Sequence, residues 1–261
     1  MRFIKTHAYG NDFLLVPEDD VIDRSDLATL SRDLCDRHRG VGADGVILFR
    51  PAAAGTTMRL FNADGSYSEL SGNGLRCLAA WIAREQHLGA GGDVVVRTDA
   101  GEKRLRLLES DGAQYRFRAA MGRPEGIRQE QLELGDETIT AVVLRVGNPQ
   151  CVVLGPLSEE RLHRIGAGLT NHRAFPEGTN VELAQVEGPE RVRILIWERG
   201  VGPTEASGTG ACASAVAAAA FGGAGRALDV IAPGGTQHVE WTADELWLTG
   251  WAAIVATGQR I

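Results

Sequence analysis

What the chain lacks narrows the field first. No apolar run approaches the ~18 residues of a membrane span; the longest, Ala211–Ala220, is short and interrupted by Ser214. No membrane partner is expected. Lys and Arg (27) are outnumbered by Asp and Glu (34), form no cluster, and leave a net charge of −7. That balance argues against a nucleic-acid surface. No Gly-Lys-Ser/Thr phosphate loop is present. The six histidines show neither H-x-x-x-H nor H-E-x-x-H spacing, so no metal site is expected. The four cysteines (Cys35, Cys77, Cys151, Cys212) are scattered, with no C-x-x-C pair. They read as small buried hydrophobes in a reducing compartment. The opening residues lack the apolar stretch of a signal peptide, and a cytoplasmic location is the expectation.

What is present is a chain of 261 residues, 44% hydrophobic, long enough for a sizeable core and for one large domain or two ordinary ones. Its 33 glycines are spread throughout, which fits many turns and short strands. In the first half, Phe3–Lys5, Phe13–Val16, Gly45–Phe49, Met58–Phe61, Val94–Thr98 and Arg104–Leu108 read as strands. Leu27–His38 and Gly74–Leu88 read as helices. The second half repeats the plan. Strands are expected at Arg116–Met121, Thr138–Val146, Gln150–Leu154, Thr179–Gln185, Val192–Trp197, Gln237–Trp241, Glu245–Gly250 and Ala253–Thr257, and helices at Ser158–Ala167 and Gly208–Phe221. Each half thus has an early and a late helix among short strands. A duplication of this size suggests two similar lobes with a cleft between them. The class is α+β, with residues 1–114 plus 252–261 as one lobe and 115–251 as the other.

The strongest pattern is a repeat. Glu69-Leu-Ser71-Gly72-Asn73-Gly74 and Glu205-Ala-Ser207-Gly208-Thr209-Gly210 each open a late helix. Glycines at a helix start let backbone N–H groups turn toward a ligand, and the helix dipole favours negative charge there. Ser71 and Ser207 also qualify as plain N-caps; two matching copies favour a shared reactive centre. Gly40-Val-Gly42-Ala-Asp-Gly45 matches G-x-G-x-x-G, but it follows a polar helix end and precedes a strand, the reverse of a dinucleotide fingerprint. It reads as a glycine-rich turn. Asn11, Asn62, Asn148 and Asn180 sit in loop-like, apolar-flanked settings that suit turns. Glu198-Arg199 closes an apolar strand; the pair suits either a rim salt bridge or a clamp on a zwitterionic ligand.

Taken together, Tyr9-Gly-Asn-Asp-Phe13, Arg37-His-Arg-Gly-Val-Gly-Ala-Asp44, Phe61-Asn-Ala-Asp-Gly65, Ser71-Gly-Asn-Gly-Leu-Arg-Cys77, Gly147-Asn-Pro, Gly178-Thr-Asn180, Glu198-Arg-Gly-Val-Gly202 and Ser207-Gly-Thr-Gly-Ala-Cys212 resemble the motifs of the diaminopimelate epimerase family, in the family's order and across nearly the whole chain. The resemblance implies two pseudo-symmetric lobes, each a barrel-like mixed sheet around a central helix. It implies cofactor-independent (PLP-free) inversion of the α-carbon of a diamino dicarboxylic acid in lysine and peptidoglycan precursor synthesis, by a homodimer. It assigns Asn11, Asn62, Asn148, Asn180, Glu198 and Arg199 to substrate binding, and the N–H groups of Gly72, Asn73, Gly208 and Thr209 to the α-carboxylate.

The chain departs from the family pattern at the reacting positions. Ser71 and Ser207 stand where the family places its two cysteines, Gln150 where it has histidine, and Pro203 where glutamate is usual. Gly45 stands where glutamine is usual, at a position that varies. Inversion without a cofactor needs a base on one face and an acid on the other. A thiol with pKa ~8.5 reaches neutrality at a helix N-terminus, whereas an alkyl hydroxyl lies near water at ~15.7. Bringing it to ~7 would cost about 12 kcal/mol, and a helix dipole supplies at most ~2 kcal/mol. Three readings follow: a family member with weakened or absent epimerase activity; an isomerase or epimerase on another substrate, with Glu198 or a water as base; or a non-catalytic amino-acid binder.

Overall fold

The computed structural model describes residues 1–53 and 55–261. The chain is mixed α+β, as its patterning indicates. Its strands are β1 (Arg2–Ala8), β2 (Asn11–Pro17), β3 (Gly45–Ala52), β4 (Gly55–Asn62), β5 (Tyr67–Ser68), β6 (Asp93–Thr98), β7 (Gly101–Ser110), β8 (Gln114–Gly122), β9 (Glu125–Leu134), β10 (Glu137–Val146), β11 (Asn148–Leu154), β12 (Asn180–Gly188), β13 (Arg191–Glu198), β14 (Gly202–Thr204), β15 (Ala227–Ala232), β16 (Gly235–Trp241) and β17 (Leu246–Gln259). The helices are α1 (Leu27–Cys35), α2 (Gly72–Glu85), α3 (Glu159–Thr170) and α4 (Gly208–Phe221). Two compact units result: Met1–Ala119 with Gly250–Ile261, and Ala120–Thr249.

In the first unit β1 pairs antiparallel with β2, β2 parallel with β3, β3 antiparallel with β4, and β4 parallel with β6. The antiparallel run β6–β7–β8 follows. The C-terminal stretch of β17 lies antiparallel to β1, and the Ile254 amide bonds the Ala113 carbonyl at 3.0 Å, which brings the last strand back to the β7–β8 turn. The helix α2 packs against β1, β2, β6 and β7, with Leu75, Leu78, Ala79, Ile82 and Ala83 buried. The polar segment around Ser110–Tyr115 is this hairpin turn, pinned by Asp111 accepting from the Ala113 and Gln114 amides at 3.0 and 2.8 Å.

In the second unit β9–β10–β11 is antiparallel, β11–β12 parallel, β12–β13–β14 antiparallel, β13–β15 parallel and β15–β16–β17 antiparallel. Six of these strands, β10, β11, β12, β13, β15 and β16, pack around α4. A helix wrapped on every side needs small apolar residues all round, and Ala211, Cys212, Ala213, Ala215, Val216, Ala217 and Ala218 are all buried. The outer helix α3 covers a separate cluster of Ile139, Val153, Ile165, Leu169 and Leu183.

The structure extends or moves several elements. The first helix stops at Cys35 because Asp36 leaves helical geometry and its carboxylate takes the His38 and Arg39 amides at 2.8 and 2.7 Å. The segments Glu245–Gly250 and Ala253–Thr257 are one continuous strand, β17. Strands β5, β9, β14 and β15 carry no sequence expectation. Most of β9 is exposed and polar, Glu125-Gly-Ile-Arg-Gln-Glu-Gln-Leu-Glu-Leu134, so its backbone pairing with β10 decides it rather than apolar alternation.

Candidate active site

In the first unit a tight β1–β2 turn presents Asn11. Tyr9 and Gly10 both have positive φ (55° and 88°), the backbone of a two-residue hairpin of the primed type. The Asn11 amide is held at both ends. Its Nδ2 donates to Asp44 Oδ2 at 2.9 Å and its Oδ1 accepts from Asn73 Nδ2 at 3.1 Å. Asn73 Oδ1 in turn accepts from the buried Arg76 guanidinium, which stacks 5.7 Å from the Tyr9 ring. Tyr9 Oη accepts from the Trp251 amide at 3.1 Å. Each Asn11 end keeps one further hydrogen or lone pair for a ligand.

Asp44 is fixed by the turn that the glycine-rich loop forms. Its carboxylate accepts from the Asp12 amide at 3.0 Å and pairs with Arg37 at 2.8 Å, and Arg37 also pairs with Asp12 at 2.8 Å. Lys5 completes the group with a contact to Asp12. Burial opposes ionisation of Asp12, but bonds from Arg37 and Lys5 prevail and hold its carboxyl below the usual range. Asn62 ends β4 opposite Gly45, and Gly45 lies opposite Phe13. Asn62 therefore shares the sheet end that bears Asn11. Its Nδ2 donates to Ser66 Oγ at 2.9 Å, so it also closes the turn that follows.

Ser71 is the N-cap of α2, with extended backbone (φ −130°, ψ 125°) and Oγ accepting from the Gly74 amide at 3.1 Å. Ser207 repeats this in the second unit, with φ −136°, ψ 128° and Oγ accepting from the Gly210 amide at 3.1 Å. Both are therefore true caps, each closing the first turn of its helix. Thr209 Oγ1 lies 3.5 Å from Ser207 Oγ. The family-like cysteines lie deeper. Cys77 and Cys212 are fully buried, and burial pushes the Cys77 thiol up to about 12, too protonated for acid–base work near neutrality.

Of the other second-unit residues, those on β11, β12 and β13 share one sheet face, and Arg199 follows the end of β13. Gln150 on β11 pairs in register with Asn180 on β12. Val181 faces Trp197 across β12 and β13; one residue further, Glu198 comes opposite Asn180. Gln150 is fully buried and donates to Asn148 Oδ1 at 2.6 Å. Asn180 Oδ1 accepts the Arg199 amide at 2.9 Å. The Arg199 side-chain methylenes run along Gly178 and its guanidinium donates to the Glu177 carbonyl. Gln150, Asn180 and Glu198 thus form a row on three adjacent strands.

Two residues further along β12 lies a group that the sequence reading passed over. Glu182 is 0% exposed, and neither carboxylate oxygen has a partner among the described residues. Burial, reinforced by the nearby Glu198 charge, pushes its carboxyl well above the ordinary range. The available signal was a lone acid inside the apolar run Asn180-Val-Glu-Leu-Ala184, on a strand with neighbours on both sides.

The family profile described as "Diaminopimelate epimerase" matches residues 3–126 and 142–259. The diaminopimelate epimerase of Desulforudis audaxviator is 41% identical over all of this chain and 99% of its own length. That of Heliobacterium modesticaldum is 36% identical over 99% of both. Among solved structures, a hydroxyproline epimerase from Agrobacterium vitis shares the fold with a TM-score of 0.69, at 17% identity over 100% of this chain and 90% of its own.

Proposed function

Because this chain belongs to the diaminopimelate epimerase family, we propose that it binds a diaminopimelate-type amino acid and acts at its α-carbon without PLP, converting the LL to the meso form, with Ser71 and Ser207 in the positions of the reacting pair. The observation that supports this reading is the repeated helix head, one in each unit. Each supplies a hydroxyl and a first turn of amides on a buried helix. Gly72 and Asn73 on one head, and Gly208 and Thr209 on the other, are the carboxylate-binding amides in this reading. Asn11, Asn62, Asn148, Gln150, Asn180, Glu198 and Arg199 hold the remaining polar groups. The setting is cytoplasmic and the molecule a homodimer.

The hydroxyls limit the rate. Neither helix head offers anything near the ~12 kcal/mol that a resting alkoxide demands. Inversion is accordingly slow in this reading, and substrate binding outlasts it. A second reading, amino-acid binding without turnover, draws on the capping geometry, since each Oγ already serves its own helix. Proton NMR in D2O with LL- and meso-diaminopimelate separates the two. Slow α-proton exchange with inversion supports the first. Saturable binding with no exchange, even in the Ser71→Cys/Ser207→Cys double variant, supports the second.

A further inference from the structure

The two helix heads match in backbone but not in what stands behind them. A Cβ placed on Gly74 would meet Ile47 Cδ1 at 2.9 Å, Met58 Cε at 3.4 Å and Ser71 Cβ at 3.4 Å, all carbon. A Cβ on Gly210 would meet Glu182 Oε1 at 2.6 Å and Ser207 Cβ at 3.1 Å. The hydroxyl-bearing carbon and the carboxyl oxygen therefore border the same small space, which stays open because residue 210 has no side chain. One serine is backed by an acid and the other by hydrocarbon.

We propose that Glu182 is a positioning residue that carries the proton of Ser207: its carboxylate takes the Ser207 hydroxyl proton as that oxygen takes the α-proton of the bound amino acid, and returns it in the reverse step. The exchange balances. The substrate Cα–H bond breaks and a new Ser207 O–H forms, while the old Ser207 O–H breaks and a Glu182 O–H forms. The C–H electron pair stays with the α-carbon and its carboxylate, and one negative charge passes from Glu182 to the substrate. No free alkoxide is needed, which removes the obstacle that a lone serine faces.

This role explains an otherwise costly feature. A fully buried carboxyl without hydrogen bonds is destabilising. Its position, two residues along β12 from Asn180, puts it on the same sheet face as the polar row, one repeat further along the strands. The groups that bear on its titration are Glu198 on β13, which disfavours its charge, and Cys151 on β11, whose own thiol is pushed up by burial and by Glu182. The facing helix α4 carries no charged residue. Proton transfer through Ser207 should then rise with pH through a region well above that of an ordinary glutamate. Among the described residues the atoms nearest to Gly74 on the Ser71 head are all carbon, so exchange from the Ser207 side should outrun full inversion.

The proposal rests on the diaminopimelate reading, and one set of measurements separates the two. Calorimetry with LL- and meso-diaminopimelate establishes binding, and proton NMR in D2O follows α-proton loss and configuration from pH 5 to 9, for the wild type, Glu182→Gln and Glu182→Asp. The expected result is wild-type exchange that rises with pH and exceeds inversion. Glu182→Gln should lose exchange ~100-fold or more while retaining binding, and Glu182→Asp should recover part of the loss. Exchange in Glu182→Gln at the wild-type rate and with the same pH profile overturns the proposal, as does wild-type binding with no exchange. Absence of binding by the wild type overturns the diaminopimelate reading itself, and this proposal with it.

Discussion

Replacing Glu182 by Gln should change the pH dependence of folding in a calculable way. In the folded chain the carboxyl has no exposure and no hydrogen-bond partner among the described residues, so it keeps its proton where an ordinary glutamate has lost it. In the unfolded chain it ionises near ~4.3. A carboxyl whose folded value is raised contributes stability that is fully present below the unfolded value. That contribution is lost as pH rises toward the folded value. The loss amounts to about 1.4 kcal/mol for each pH step while the native carboxyl stays neutral. Gln has the same shape and does not titrate. Its unpaired amide shifts stability by a pH-independent amount, so the slope carries the information and the offset does not. Between pH 5 and 7 the variant should gain up to about 2.7 kcal/mol on the wild type. Urea unfolding of both proteins at pH 5, 6, 7 and 8 measures this directly. A difference that stays constant across those pH values, or a wild type that gains on the variant as pH rises, would refute the assignment of a buried neutral carboxyl.

Other perturbations test the remaining geometry. Ser71→Ala and Ser207→Ala each remove an oxygen that takes an amide proton at 3.1 Å, and each should cost ~1 kcal/mol in thermal or urea unfolding. Gly210→Ala drives a methyl to 2.6 Å from Glu182 Oε1; it should destabilise by ~1–3 kcal/mol despite the better helix propensity of Ala, and Glu182→Ala in the same chain should relieve most of that in a double-mutant cycle. Asp44→Ala removes the acceptor of the Asn11 Nδ2 group. Because Asp44 is 42% exposed, the stability loss should stay within ~1 kcal/mol, while calorimetric affinity for diaminopimelate falls several-fold as the Asn11 amide loses its orientation.

Much of the fold was legible because local chemistry and tertiary need agree. The helix α4 could be placed from an Ala-rich run behind Ser-Gly-Thr-Gly, and the burial of Gly210–Ala218 follows from side chains small enough for strands to close on every side. The caps Ser71 and Ser207 could be placed because an N-cap is a local event, set by one side chain and an amide three residues on. Strand β9 was not legible. Its largely exposed, polar residues carry apolar side chains only at Ile127, Leu132 and Leu134, too few for an alternating pattern, and the pairing with β10 defines it.

The candidate site divides the same way. The amino-acid sequence by itself determined the α+β class, the family and the repeated helix heads, since each depends on residues close together in the chain; Asn11, Asn62, Asn148 and Asn180, which read as turn residues, instead stand at the ends of strands. Tertiary structure alone decided that Asn11 is held between Asp44 and Asn73. It alone decided that Gln150, Asn180 and Glu198 stand in one row, and that Glu182 meets Gly210 behind Ser207. Those relations join residues tens of positions apart, and strand register and helix packing, which no short stretch of chain encodes, set the distances between them.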